Sequence, residues 1–293
     1  MIPPKLEILH SKEDASVNFI RSGDFPGFTE ARYVRRSPDY FIVYLSPQTG
    51  CKQACRFCHL TASGQTDLID VPVDGILEQA KDVLKLYDDR KETARIVHFS
   101  FMARGEPLVS PVFHNQGTEL MERLAKEATI RNLFPRIMIS TIMPQAMRGK
   151  SLAKLFPVIH PNLYYSIYSL DPAFRKKWLP KALPVDEALS ILKEYQDMTN
   201  KIIRLHWAFI KDENDSPESV AAICDKVNSL GLRVDVNIVR YNPYSAAHGE
   251  EPSVEHIDKL TEILVAKLPS SRVKVVGRVG TDVKASCGMF IEK

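Results

Sequence analysis

Three cysteines, Cys51, Cys55 and Cys58, stand within eight residues of one another on the segment SPQTGCKQACRFCHLTASGQ. The chain has five cysteines in 293 residues. A disulfide framework in a secreted protein would spread them, so this clustering reads as a metal site. Cys-x3-Cys-x2-Cys offers thiolates for three corners of a four-iron cluster and leaves the fourth iron without a protein ligand. The competing arrangement is a structural zinc ion, with His59 completing a Cys3His set. Adjacent Cys58 and His59 would then share one tetrahedral ion, which is poor geometry, and zinc ligands usually come as two pairs. Spacing and context favour the cluster.

Other residues able to do chemistry recur after apolar runs. Gly105-Glu106-Pro107 sets a carboxylate beside a backbone made approachable by glycine, which also suits the first turn of a helix. Ser140, Ser166 and Asn242 follow further apolar runs, a position that suits either a ligand contact or a cap for the next helix. Cys287 lies among small residues, and sulfur is a good nucleophile once its pKa is lowered. Cys224 sits on an apolar helical face and reads as a core thiol. Arg175-Lys176-Lys177-Trp178 suits a phosphate backbone with a stacked base, although a solvated helix end is the simpler reading.

The elements that must position these groups alternate between two textures. Strand-like runs occur at 41–46, 95–101, 136–141, 163–168, 202–210 and 233–239, near-continuously apolar as if covered on both faces. Helical spacing occupies 73–87, 117–128, 185–196, 217–231 and 254–268; in the fourth, Val220, Ile223, Cys224, Val227 and Leu230 form one face. Alternation of this kind predicts parallel β/α units with right-handed crossovers. Six units are too few for a full eightfold barrel, so the expected fold is α/β, a partial (β/α)6 barrel over 41–293, with chemistry at the C-terminal ends of its strands. A last strand at 272–279 would flank one edge. Residues 1–40 read as a small N-terminal β extension of three antiparallel strands with turns at 11–15 and 22–27. The C-terminal segment with Cys287 must fold back over the barrel mouth.

Composition is that of a soluble globular chain, 44% hydrophobic and 26% charged. It is too apolar for disorder and has no window near the ~18 apolar residues of a membrane span. Its first residues carry no apolar h-region, which predicts a cytoplasmic protein. A formal charge of +3 neither demands nor excludes nucleic acid.

Cys-x3-Cys-x-Phe-Cys after the first strand of a partial barrel resembles the radical S-adenosylmethionine (SAM) superfamily. The resemblance implies a [4Fe–4S] cluster on Cys51, Cys55 and Cys58, whose open iron is chelated by SAM, and reductive cleavage of SAM to a radical. It implies SAM contacts from Gly105, Glu106, Ser140, Ser166, Ile167, Tyr168 and Asn242. Tyr241-Asn242-Pro243-Tyr244 and Gly280-Thr281-Asp282-Val283-Lys284-Ala285-Ser286-Cys287-Gly288 resemble more narrowly the adenine-methylating radical SAM enzymes of ribosomal and transfer RNA. That likeness makes Cys287 the methyl carrier and implies an RNA partner, an electron donor such as flavodoxin or ferredoxin, no membrane and a monomer.

The chain departs from that family at several points. Tyr44 stands where the family has a second cysteine, and Tyr168 where it has histidine. The family's acid in the preceding β segment is read as replaced by Arg35-Arg36, and the helical N-terminal accessory domain is missing. Tyr44 could move a proton only with a depressed pKa. Three readings stay open: RNA adenine methyltransferase, a radical SAM enzyme of the same architecture without methyl transfer, and a non-catalytic metal-containing binding protein.

Overall fold

The computed structural model describes residues 5–23 and 26–292. The first four residues, read above for a leader, lie outside them, as do Asp24 and Phe25 of the expected 22–27 turn. One sheet contains ten strands, in sequence order from edge to edge. β1 (Lys5–His10), β2 (Val17–Ser22) and β3 (Phe28–Ser37) are antiparallel, and β3 pairs antiparallel with β4 (Tyr40–Tyr44). The N-terminal extension is thus continuous with the barrel sheet. From β4 onward every pairing is parallel, through β5 (Ile96–Phe101), β6 (Phe134–Thr141), β7 (Asn162–Tyr165), β8 (Ile203–Trp207), β9 (Val234–Val239) and β10 (Val273–Val276). The expected partial barrel is the fold, and the last strand joins it at the β9 edge.

Helices fill the crossovers: α1 (His59–Ala62), α2 (Val73–Arg90), α3 (Pro111–Thr129), α4 (Leu152–Leu155), α5 (Pro172–Trp178), α6 (Val185–Thr199), α7 (Pro217–Ser229) and α8 (Val254–Lys267). Their starts follow local rules. Pro111, Pro172 and Pro217 occupy first-turn positions where a missing N–H costs nothing. Asp171 caps α5 by accepting from Ala173 N at 2.9 Å, and Ser216 caps α7 by accepting from Ser219 N at 3.1 Å. Short helices α1, α4 and α5 escaped the periodicity argument, which needs more than two turns to register. No described helix is long and apolar enough to cross a membrane.

Outward-facing Phe41, Val43, Val97 and Phe99 are buried under helices, with Ile76, Ala80, Val83 and Leu84 of α2 in the same core. Alternate residues point the other way, into the barrel, and here the strands differ from the continuously apolar runs expected. Tyr40, Ile42 and Tyr44 of β4, and His98 and Ser100 of β5, line an internal cavity. The barrel does not close by strand pairing. Across its open seam, Arg36 of β3 donates to the Gly277 carbonyl beyond β10 at 3.0 Å.

Candidate active site

A single cavity of about 280 Å³ opens at the C-terminal ends of the strands. Cys51, Cys55, Cys58, Gly105, Glu106, Ser140, Ser166, Tyr168, Asn242 and Cys287 all line it. These come from six separate chain segments, and only the sheet brings them together. Ile167 is the exception: it is fully buried in the core, and its carbonyl accepts from Arg175 at 2.8 Å.

The cysteine loop follows β4 and is pinned at several points. Cys51 N donates to Gln65 O at 3.2 Å, Arg56 N to Trp178 O at 3.0 Å, and His59 N to Gly288 O at 3.0 Å. Gly50 is required: a Cβ there would meet the Asp67 carbonyl at 2.3 Å. Phe57 stacks flat on Tyr168, centroids 4.3 Å apart; Tyr168 holds this position at a φ of +52°. Burial pushes all three thiols up, Cys51 to about 12, so without a nearby cation they stay protonated. Bound iron supplies that charge and deprotonates its ligands. Among the described residues no three His, Cys, Asp or Glu side chains converge on one metal ion, and His59 directs Nε2 to the Asn242 carbonyl at 3.0 Å. That geometry does not fit the Cys3His zinc arrangement. Three soft thiols on one cavity wall fit a four-iron cluster, in which each thiolate takes a different iron.

Glu106 is 4% exposed. One carboxylate oxygen accepts from Leu108 N and the other from Ile142 N, both at 3.2 Å. It therefore does cap a single helical turn, Pro107–Val109, while facing the cavity. Burial raises its pKa to about 7, against the lowering effect of Thr141 and the two amides. No cationic side chain among the described residues pairs with it. An ammonium group placed in the cavity would supply the missing charge. Gly105, at a φ of +103°, lets Gln48 approach: an added Cβ would lie 2.8 Å from it, and Gln48 Oε1 accepts from Glu106 N at 3.0 Å. The hydroxyls of Ser140 and Ser166 take no protein partner and cap no helix.

The segment after β10 folds back over the mouth, as expected. Its anchors lie in the β1–β2 turn: Asp282 accepts from Ser11 Oγ at 2.7 Å and Lys12 N at 2.8 Å, and Gly280 N donates to Asp14 at 2.9 Å. Asn242 donates to the Cys287 carbonyl at 2.9 Å, and its Oδ1 accepts from Arg278 at 2.8 Å. Asn242 thus lines the cavity with its amide already engaged in holding the tail. Cys287 lines this wall with its residue surface exposed, yet the protein crowded around its thiol, and after it Cys58, push the thiol up to about 11. Burial, reinforced by Cys287, also raises the Tyr44 phenol against Arg36 and Arg32. Tyr44 stays protonated, so the depressed pKa that proton transfer would need is not what its surroundings produce.

Two sequence readings are corrected. The β segment does carry an acid: Glu30 on β3 is fully buried, bonded to Arg104 at 2.8 Å, to Arg32 at 2.9 Å and to Ile291 N at 3.0 Å. It lies outside the cavity wall, on the same strand as Arg35-Arg36. The Arg175–Trp178 run is a solvated helix end only in part: Lys176 and Lys177 are exposed in the last turn of α5. Arg175 and Trp178 are buried, with Trp178 Nε1 donating to Glu213 at 2.8 Å. Cys224 is buried as expected. Residues missed altogether are Gln48, Arg32, His98 and Ser100. The two on β5 carried a signal, since polar residues at every second position of an otherwise apolar strand face a common side.

A cysteine triplet on the loop after the first parallel strand of an incomplete barrel, with a buried carboxylate at the second strand's end, defines a radical SAM enzyme. A solved radical SAM methyltransferase from Sphaerobacter thermophilus superposes with a TM-score of 0.82 at 20% identity, covering 99% of this chain and 81% of that one. In sequence, the chain is 29% identical over 292 residues to the "Probable RNA methyltransferase RB6963" of Rhodopirellula baltica, covering 97% of this chain and 72% of the relative. It is 26% identical over 260 residues to the "Dual-specificity RNA methyltransferase RlmN" of a Sulfurovum species, covering 86% and 67%. No family model matches. In sequence and in fold the chain is similar to RlmN-type radical SAM RNA methyltransferases.

Proposed function

We propose that the chain methylates an adenine in RNA, using SAM, a [4Fe–4S] cluster and Cys287 as methyl carrier. One observation carries this reading: a cysteine far from the triplet in sequence lines the same cavity as all three. Cys51, Cys55 and Cys58 would hold the cluster, which when bound supplies the single electron that cleaves SAM. Glu106 receives the SAM ammonium beside Gly105, with Ser140, Ser166 and Tyr168 walling the pocket. Cys287 would take the methyl of bound SAM, its thiol proton passing to water at the open wall as S-adenosylhomocysteine is left. Asn242 orients that thiol by holding its carbonyl. The Phe57–Tyr168 stack and the folded-back tail exclude water.

The one-electron source is a reduced flavodoxin or ferredoxin, and the enzyme works as a cytoplasmic monomer. A second reading, cluster and SAM cleavage without methyl transfer, draws on Tyr44, whose phenol replaces the family's second cysteine next to Cys287. Incubation with SAM, a reductant and RNA, followed by mass spectrometry of nucleosides and of the Cys287 peptide, decides between them. Methyladenosine, or a covalent RNA adduct on Cys287, supports the first reading; SAM cleavage with an unmodified Cys287 supports the second.

A further inference from the structure

The cavity runs deeper than the groups gathered at its mouth. His98 lies three residues before the end of β5, about 10 Å below the rim at the rise of an extended chain. Around it the wall is polar and aromatic. His98 stacks on Tyr40 with centroids 4.6 Å apart, and Tyr164 meets His206 edge-on at 5.9 Å. His98 is 8% exposed, yet its Nε2 has no hydrogen-bond partner, nor has Oγ of Ser100, the next inward residue on β5. Buried polar atoms are rarely left unpaired, because desolvation without a partner costs free energy. Both atoms belong to cavity-lining residues. Burial, helped by Arg136 and Arg204, pushes His98 down to about 4, and burial alone does the same to His206. Neutral imidazoles each offer one N–H and one lone pair.

Two cations complete the lower chamber. Lys274 sits in register with Asn237, which is in register with His206. Arg36 spans the seam beside Tyr44. Both line the cavity, and no acid among the described residues pairs with either.

We propose that this chamber binds a nucleoside phosphate, with His98 and Ser100 pairing with the edge of the base and Arg36 and Lys274 taking the phosphate. The inference rests on the methyltransferase reading and names the residues that select its substrate. Paired donor and acceptor groups suit a nucleobase edge, whereas an apolar metabolite would leave His98 and Ser100 unpaired. Cations without acids suit a phosphate. Cys287 lines the same cavity. A free nucleotide and a nucleotide within RNA share this chemistry.

Isothermal titration of the purified protein with adenosine, AMP and a short adenosine-containing RNA tests the proposal, with SAM affinity and circular dichroism as controls for folding. AMP is expected to bind about tenfold more tightly than adenosine. His98→Phe and, separately, Ser100→Ala should weaken both about tenfold, as loss of one buried hydrogen bond does. The Arg36→Ala, Lys274→Ala pair should abolish the AMP advantage. RNA binding tighter than AMP, with the same sensitivity to these changes, identifies the nucleotide as part of RNA; equal binding identifies a free nucleotide. No nucleotide binding, or binding indifferent to both His98→Phe and Ser100→Ala, overturns the proposal. Methyl transfer together with such indifference would leave the methyltransferase reading standing without this site. His98-dependent nucleotide binding with no methyl transfer would leave the site and remove that reading.

Discussion

The side-chain amide of Asn242, just past β9, holds the backbone carbonyl of Cys287 at 2.9 Å and reaches Ser286 Oγ at 3.3 Å. The end of a barrel strand therefore sets where a distant thiol stands. Asn242→Ala should lower methylation of Cys287 about tenfold, the effect of losing one buried hydrogen bond. Iron content should not change, because none of these contacts involves the triplet; mass spectrometry of the Cys287 peptide against iron analysis makes the comparison.

Glu106 makes SAM binding depend on pH. Its carboxyl is raised from 4.5 to about 7, so the charged form that an ammonium requires accumulates as pH rises through about 7. SAM affinity in the cluster-free protein should increase over that interval, and Glu106→Gln should flatten and weaken it.

The same shift acts oppositely on stability. A carboxyl whose folded pKa is raised contributes stability below its unfolded pKa and loses it as pH climbs to the folded one. Glu106→Gln should match the wild type near pH 4.5 and exceed it above about pH 7, by an amount on the order of 3 kcal/mol. Urea denaturation at the two pH values measures this; a variant less stable at both would contradict it.

The two kinds of cysteine should separate cleanly. Cys55→Ala should lose the visible absorption of the reconstituted cluster together with SAM cleavage. Cys287→Ala should keep both and lose only methylation. A colourless wild-type protein holding one zinc ion would remove the basis for either expectation.

Glu30 sits in the interior with two arginines around it. Removing one partner of a buried ion pair leaves uncompensated charge, at about 3–5 kcal/mol. Glu30→Ala should destabilise by that much, read from the denaturation midpoint at unchanged slope.

The barrel was legible because its strands and longer helices obey their own periods, and because each motif falls where a parallel strand ends. Cys51, Cys55 and Cys58 stood out by type and spacing, Glu106 and Cys287 by resemblance to a family, and all five share one cavity. What escaped was partnership. Nothing in the local sequence says that Glu30 meets Arg104 rather than solvent, that Asn242 spends its amide on the tail, or that Tyr44 faces Cys287. Ile167 failed for a simpler reason: the chain turns after Tyr165, and alternation no longer says which side a residue faces. Arg175 was misjudged because a basic run implies solvent unless carbonyls such as those of Ile167 and Leu183 wait to receive it.

The carboxylate of Glu30 ties together partners 74 and 261 positions away along the chain. Loop-closure entropy makes contacts over such separations late events in folding, whereas neighbouring β/α units pair over short distances and early. The order of assembly follows. The barrel forms with its mouth open, and the tail docks afterwards. In a chain whose tail docks last, Cys51, Cys55 and Cys58 are expected to stand uncovered by Cys287 until that final step.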